Sequence, residues 1–323
     1  MRKFKLRDQV VRKMKGIENT AAPVTPALPW EKETAAEPET REKPADSLRV
    51  IHRTDIGLIR KSNQDAVIVG NGLMGVADGM GGHRGGETAS AGARDGMLRE
   101  AAARTPSPSQ LEEAIREVNL ELWEMQLKET DLSGMGTTLT VLWPEDENML
   151  IGHVGDSRAY LLRDGEMRQI TKDHSMVADM VRRGMLTEEQ AACHPMRNYI
   201  TRAVGTESDV QVDIEVVPRQ KGDRWLVCSD GLHGAVDKSR LQELMRLEDP
   251  DEAADQMIRE ALDQGGRDNI TLVIAVDEAG GGSTPADAQH GEKTDSAPAG
   301  STDETDSSAA PDTADAKTEG LAK

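Results

Sequence analysis

Aromatic residues are scarce in this chain: four Trp, two Tyr and one Phe among 323 residues. Cysteine is scarcer, with only Cys193 and Cys228. Two thiols do not make a disulfide framework and suit a reducing compartment, so the expected location is cytoplasmic. No run of 18 apolar residues occurs, which argues against a hydrophobic membrane span. The basic start is not followed by an apolar stretch, so a secretory signal is not expected. Positive charge is also in deficit, with 39 Lys and Arg against 58 Asp and Glu, a net of −19. Such a chain lacks the basic face that non-specific nucleic-acid binding requires.

The charge is unevenly spread. Residues 1–16 carry seven basic residues against Asp8 alone, a net of +6. Residues 17–47 hold five prolines and a net of −4, and residues 278–323 a net of −7 with no aromatic residue. Segments this poor in apolar surface cannot offset their ordering entropy. Residues 1–47 are therefore expected to be a basic segment followed by a disordered linker, and 278–323 a disordered tail. Wound as a helix, the start would align Phe4, Leu6, Val10, Val11 and Met14, a face that suits a partner or a membrane surface; a frayed, solvated terminus is the alternative. Residues 48–277, net −14, are long enough for one sizeable core, built from Val, Leu, Ile, Met and Ala.

Within 48–277 short apolar runs alternate with turn signals. Asn71-Gly72 between Ala66–Val69 and Leu73–Ala77 predicts a hairpin, and Asp164-Gly165 predicts a second between Arg158–Arg163 and Glu166–Ile170. Further strands are expected at Leu48–Ile51, Thr137–Trp143, Met149–Val154, Val210–Val217, Arg224–Cys228 and Asn269–Val276. Helical spacing marks 87–104 and 109–128, where Leu111, Ile115, Val118 and Leu122 share a face; two more helices are expected near 238–246 and 250–264. Strands joined by hairpins, with helices in pairs, give an α+β class with antiparallel sheets.

Three aspartates sit where an apolar strand meets a turn: Asp78 in Ala77-Asp78-Gly79-Met80-Gly81-Gly82-His83, Asp230 in Ser229-Asp230-Gly231, and Asp268 in Gly266-Arg267-Asp268-Asn269. A carboxylate there is costly unless paired or bound to a cation. Any single Asp-Gly is an ordinary turn; several converging would form an all-oxygen site suited to Mg²⁺ or Mn²⁺. Upstream, Arg60 precedes Asn63-Gln64-Asp65, and arginine suits a bidentate grip on phosphate. No Cys-x5-Arg nucleophile loop is present, and Gly79–Gly86 lacks the Gly-Lys-Ser/Thr ending of a nucleotide-binding loop.

In order, Gly57–Arg60, Asn63–Asp65, Ala77–His83, Asp131–Thr138, Gly155–Arg158, Thr171–His174, Ser229–Gly231 and Arg267–Asn269 resemble the motifs of the metal-dependent, type 2C protein serine/threonine phosphatases, in their bacterial branch. The resemblance covers about residues 50–277. It implies a four-layer sandwich, two central antiparallel sheets flanked by pairs of helices, with two Mg²⁺ or Mn²⁺ ions at one edge. By motif position, Asp78 would bridge the ions, with the Gly79 carbonyl on one and Asp230 and Asp268 on the other. Asp65 would stand just behind, and Gln64, where many members carry Glu, would reach an ion through water. Arg60 would hold the substrate phosphate. Asp131, with Asp230 and Asp173, would hold a third ion, and residues 175–203 would form a flap over the cleft. Two cations acidify a bridging water and neutralise the phosphoryl oxygens, so phosphoserine and phosphothreonine would be hydrolysed without a covalent intermediate. Phosphorylated proteins and a cognate serine/threonine kinase are the implied partners. His83 is a candidate proton donor to the leaving alkoxide or else a polar loop residue. Asp156 reads as structural, stitching its turn to Arg158. The competing readings are a non-catalytic phosphoprotein-binding scaffold of the same fold and an enzyme for small phosphate esters.

Overall fold

A computed structural model describes residues 47–279. The expected basic N-terminal segment, the linker and the acidic tail lie outside the described residues, as does the side chain of His83.

The first strand, β1 (Leu48–Asp55), leads through a loop to the hairpin of β2 (Asp65–Gly70) and β3 (Leu73–Met80). Asn71 and Gly72 hold φ of 52° and 77° in its two-residue turn, the left-handed pair such a hairpin needs. Two long helices follow, α1 (Gly82–Ala103) and α2 (Pro108–Lys128). Ser107 caps α2 by accepting from the Gln110 N–H, and Pro108 occupies its first turn. Then come β4 (Gly136–Thr137), β5 (Leu139–Glu145), β6 (Asn148–Val154), β7 (Arg158–Arg163) and β8 (Glu166–Gln169). The second predicted hairpin turns at Asp164, φ 52°, and Gly165, φ 80°. Short helices α3 (Met176–Arg182) and α4 (Glu188–Ala192) precede β9 (Asp213–Pro218) and β10 (Arg224–Cys228). Helices α5 (Asp230–His233), α6 (Lys238–Met245) and α7 (Pro250–Asp263) lead to β11 (Ile270–Asp277).

All strand pairs are antiparallel. One sheet runs β1-β11-β10-β7-β8; the other runs β2-β3-β5-β6-β9, with β4 on β3. Period-2 alternation sorts side chains into layers. Met74, Val76, Leu142, Ile151, Trp225, Val227, Val273 and Ala275 fill the space between the sheets. Leu226, Cys228, Leu272 and Ile274 point the other way, onto Leu241, Leu244, Ala254 and Met257 of α6 and α7. On the opposite face Leu111, Ile115, Val118 and Leu122 of α2, with Ala89, Ala93 and Met97 of α1, cover Ile68, Val141 and Leu150. This is the α+β four-layer sandwich. Its core is aliphatic, yet three of the few aromatics, Trp143, Tyr160 and Trp225, are buried in it at 2% exposure or less. Among the described residues no helix is long and apolar enough to cross a membrane.

Several elements depart from the sequence expectation. Strand β1 runs four residues further than expected, because its outward positions remain paired with β11 down to Asp55↔Ile270. Helix α1 begins at Gly82, inside a glycine-rich stretch that reads as loop. Strand β9 starts at Asp213; Val210 packs into the α2 core ahead of it. Helices α3, α4 and α5 are too short to produce a periodic signal.

Candidate active site

Four strand ends and one turn meet at one edge of the sandwich. Strand β2 starts with Asp65 directly opposite Asp78 near the end of β3. Asp230 opens α5 just after β10, and Asp268 lies two residues before the start of β11. Asp156 lies in the β6–β7 turn. The hydroxyls of neighbouring motif residues fix this register. Asp78 donates its N–H to Thr138 Oγ1 at 3.0 Å, and Thr138 Oγ1 is 2.7 Å from Ser157 Oγ. Ser229 Oγ donates to Asp65 Oδ2 at 2.7 Å and accepts from the Thr271 N–H at 3.1 Å, so it joins the two sheets. Gly79 donates its N–H to the Gln64 carbonyl at 3.0 Å. A Cβ on Gly79 would stand 2.0 Å from the Gly86 carbonyl oxygen, so only glycine fits at that crossing.

The electrostatics are those of crowded, poorly hydrated carboxylates. Burial, then repulsion from Asp230 and Asp268, pushes Asp65 up to about 6 against the hydrogen bonds of Ser229 and Thr271. Burial and then Asp268 push Asp230 up to about 6. Burial, then Asp230 and Asp173, push Asp156 up to about 8. Asp78 is raised well above the usual carboxylate range by burial and by Asp65, Asp230, Asp156 and Asp268. Asp65 Oδ1 and Asp156 Oδ1 are buried without a hydrogen-bond partner. Arg60 comes in from the β1–β2 loop, its guanidinium 2.6 Å from Asp268 Oδ2. That bond, and after it the charges of Asp268, Asp230 and Asp78, hold the guanidinium proton more tightly than usual.

An all-oxygen donor set with excess negative charge and two orphaned carboxylate oxygens fits a hard divalent cation such as Mg²⁺ or Mn²⁺. Among the described residues no three acidic, histidine or cysteine side chains are already arranged as a closed chelate; Arg60 takes part of the neutralising role instead.

Asp65, Asp78, Gly79, Asp230, Asp268, Gln64 and Arg60 are thus gathered at one edge. Two expected acids stand apart. Asp131 is exposed on a 3-10 turn, Thr130–Leu132, outside the buried group. Asp173 has both oxygens on Arg158, at 2.7 to 3.0 Å, and also accepts from Gln169 Nε2 at 3.0 Å. Burial alone would raise its carboxyl; the Arg158 bonds and charge hold it below its usual value. This corrects the reading of Asp156 as well. Arg158 turns away from it to Asp173, because Asp173 offers a two-oxygen face to the planar guanidinium, and Asp156 joins the acidic cluster.

Sequence reasoning did not single out His174. Its Nδ1 accepts from the Gly155 N–H at 3.0 Å, while the His174 backbone N–H donates to the Gly155 carbonyl at 2.7 Å. Its Nε2 stands 3.1 Å from Asp213 Oδ2, and Arg202 reaches Asp213 Oδ1 at 2.7 Å. With the bridge Ser175↔Ile200, these contacts close the base of segment 175–203, on which Met185 and Tyr199 are exposed.

Known proteins resemble this chain in sequence and fold. Serine/threonine protein phosphatase PstP of Mycobacterium tuberculosis (strain ATCC 25618 / H37Rv) is 40% identical over 235 residues, 71% of this chain but 45% of that protein, so the match spans about half of the relative's length. Serine/threonine phosphatase stp of Listeria innocua is 41% identical over 234 residues, 69% of this chain and 93% of that protein. A crystal structure of the PstP catalytic domain in complex with two manganese ions superposes with a TM-score of 0.66 at 37% identity, covering 72% of this chain and 99% of that one. The Protein phosphatase 2C family matches residues 60–268. That match begins at the arginine and ends at the last carboxylate of the cluster, and the chain belongs to the protein phosphatase 2C family.

Proposed function

We propose that this chain is a metal-dependent protein serine/threonine phosphatase. The supporting observation is the gathering of Asp65, Asp78, Asp156, Asp230 and Asp268 at one edge of the sandwich, with the carboxyls of Asp65, Asp78, Asp156 and Asp230 raised by burial and mutual repulsion, and with Arg60 paired to Asp268 at 2.6 Å. A scaffold that only held phosphoprotein would gain nothing from so costly a concentration of acid.

Asp78, Asp230 and Asp268 with the Gly79 carbonyl would hold two Mn²⁺ or Mg²⁺ ions. Asp65 stands behind Asp78, and Gln64 offers a neutral oxygen beside it. Bound there, such ions supply an acidified water and neutralise phosphoryl charge. Arg60 binds the phosphate of the substrate and orients it; shedding Asp268 for a phosphate oxygen exchanges one charged partner for another. Asp131 and Asp230 are the candidates for a third ion; Asp173, committed to Arg158, is not. Phosphorylated proteins, in concert with a cognate kinase in the cytoplasm, are the proposed substrates, with the basic start as a docking segment.

The test is hydrolysis of para-nitrophenyl phosphate and of a phosphothreonine peptide with Mn²⁺. Turnover abolished by EDTA and by Asp230→Ala is expected. Binding of the phosphopeptide without any EDTA-sensitive turnover would favour the non-catalytic scaffold; turnover of the small ester alone would favour a small-molecule esterase.

A further inference from the structure

Asn269 is 4% exposed and directs its whole side chain at one segment. Its Oδ1 accepts from the Gln64 N–H at 2.8 Å. Its Nδ2 donates to the Ile56 carbonyl at 2.9 Å and to the Ser62 carbonyl at 3.0 Å. All three partners are backbone groups in or at the end of the β1–β2 loop. One amide thus spends an acceptor and both donors on the segment that carries Arg60. The loop has little apolar anchorage of its own, with Leu58 and Ile59 67% and 68% exposed. Its other ties include Leu58 N–H to the Gly266 carbonyl at 2.7 Å, Gly57 N–H to Asp55 Oδ1 at 2.7 Å, Asn63 Nδ2 to Thr54 Oγ1 at 2.8 Å, Gly79 N–H to the Gln64 carbonyl at 3.0 Å and Arg60 to Asp268 Oδ2 at 2.6 Å, but among the described residues only Asn269 ties three separate backbone groups of the segment with one side chain. Asn269 is itself fixed in place. Its N–H donates to Asp268 Oδ1 at 2.8 Å, and its carbonyl lies so close to Gly231 that a Cβ there would come within 1.9 Å.

We propose that Asn269 is a positioning residue for Arg60. It ties the β1–β2 loop to the start of β11, so that the guanidinium stands over the carboxylates beside Asp268. A flexible arginine must lose conformational entropy to hold phosphate; an anchored loop has spent that cost in folding. The inference rests on Arg60 being the phosphate-binding group.

The test is a double-mutant cycle at saturating Mn²⁺, reading KM for para-nitrophenyl phosphate and the inhibition constant of inorganic phosphate. Arg60→Ala alone should weaken both. Asn269→Ala should weaken both roughly ten-fold, within the range seen when a supporting residue is lost, with the half-saturating Mn²⁺ concentration unchanged. In the Arg60→Ala background it should add nothing. Asn269→Ser, which lacks the reach to the two carbonyls, supplies the same cycle if the alanine variant does not fold. In the unmutated protein the Gln64 amide should be strongly protected from hydrogen exchange. Full additivity, a shift confined to Mn²⁺ affinity, or a rapidly exchanging Gln64 amide would overturn the positioning role while leaving the phosphatase reading intact. If Arg60→Ala changes neither constant, the phosphate-binding assignment fails and the inference fails with it.

Discussion

Asp156→Asn should stabilise the protein against unfolding once divalent cations are chelated, and only toward neutral pH. Asp156 is 6% exposed, one of its oxygens has no partner, and its carboxyl is pushed up to about 8. A folded-state value above the unfolded one means that stability is fully present below about 4 and is lost as pH rises toward 8. At pH 7 the native state must retain a proton that the unfolded chain has released. Over roughly three pH units, at 1.36 kcal/mol each, this amounts to about 4 kcal/mol. Asparagine is nearly isosteric and does not titrate, but its amide needs a partner of its own, a cost of about 1–3 kcal/mol. The balance favours the variant by roughly 1–3 kcal/mol at pH 7, and the wild type by the amide cost alone at pH 4. Urea denaturation in EDTA across pH 4 to 8 should therefore show two stability curves that cross. Curves that stay parallel would mean that Asp156 is not held in a repulsive, dehydrated cluster, and the electrostatic account of the site would be wrong.

Arg219 and Asp277 form an ion pair of 2.6 Å with side chains 1% and 0% exposed, so Arg219→Ala should cost about 3–5 kcal/mol in the same assay; Arg219→Met with Asp277→Leu should recover most of it. His153 is buried, donates from Nε2 to the Lys172 carbonyl and accepts from Thr140 Oγ1 at Nδ1, and is lowered to about 4, first by desolvation and then by neighbouring His174. The unfolded chain takes up that proton first, so stability should fall as pH drops from about 6.5 toward 4, and His153→Gln should flatten the slope in that window. Gln64→Glu places a carboxylate beside Gly79 and Gly86 and should lower the Mn²⁺ concentration needed for half-maximal activity.

The sequence made elements legible where a local rule was strong. Asn71-Gly72 and the Leu111, Ile115, Val118, Leu122 face each needed only a few residues to be read. Partners separated by long stretches of chain were not legible in this way. Arg158 reads as belonging to Asp156, two residues back, yet it binds Asp173, fifteen residues on. Asn269 closes one of the motifs read from the sequence, but nothing local assigns its side chain a task until the fold brings Ile56, Ser62 and Gln64 around it. The start of α1 was hidden for another reason. Its glycines read as a loop by propensity, but they are there to let Gln64, Gly79 and Met135 approach the helix backbone closely, and tertiary contacts override the local preference. The carboxylates at strand ends were found because an acid at the end of an apolar run is costly wherever it occurs; which of them share one cluster depended on how the two sheets stack.

The pairing of β1 with β11 has a consequence for anything attached to this fold. Leu48 lies opposite Asp277, and the Glu278 N–H donates to the Ser47 carbonyl at 3.0 Å. Entry and exit of the chain therefore share one address. The other end of that same strand pair, Asp55 opposite Ile270, adjoins Arg60, Asp268 and Asn269. Seven residue steps of strand, about 23 Å, separate the two ends. Both attachment points of the fold, Ser47 and Glu278, thus lie side by side at the pole away from the carboxylates. A label or fusion joined at Ser47 or Glu278 is therefore attached a full strand length from the phosphate site.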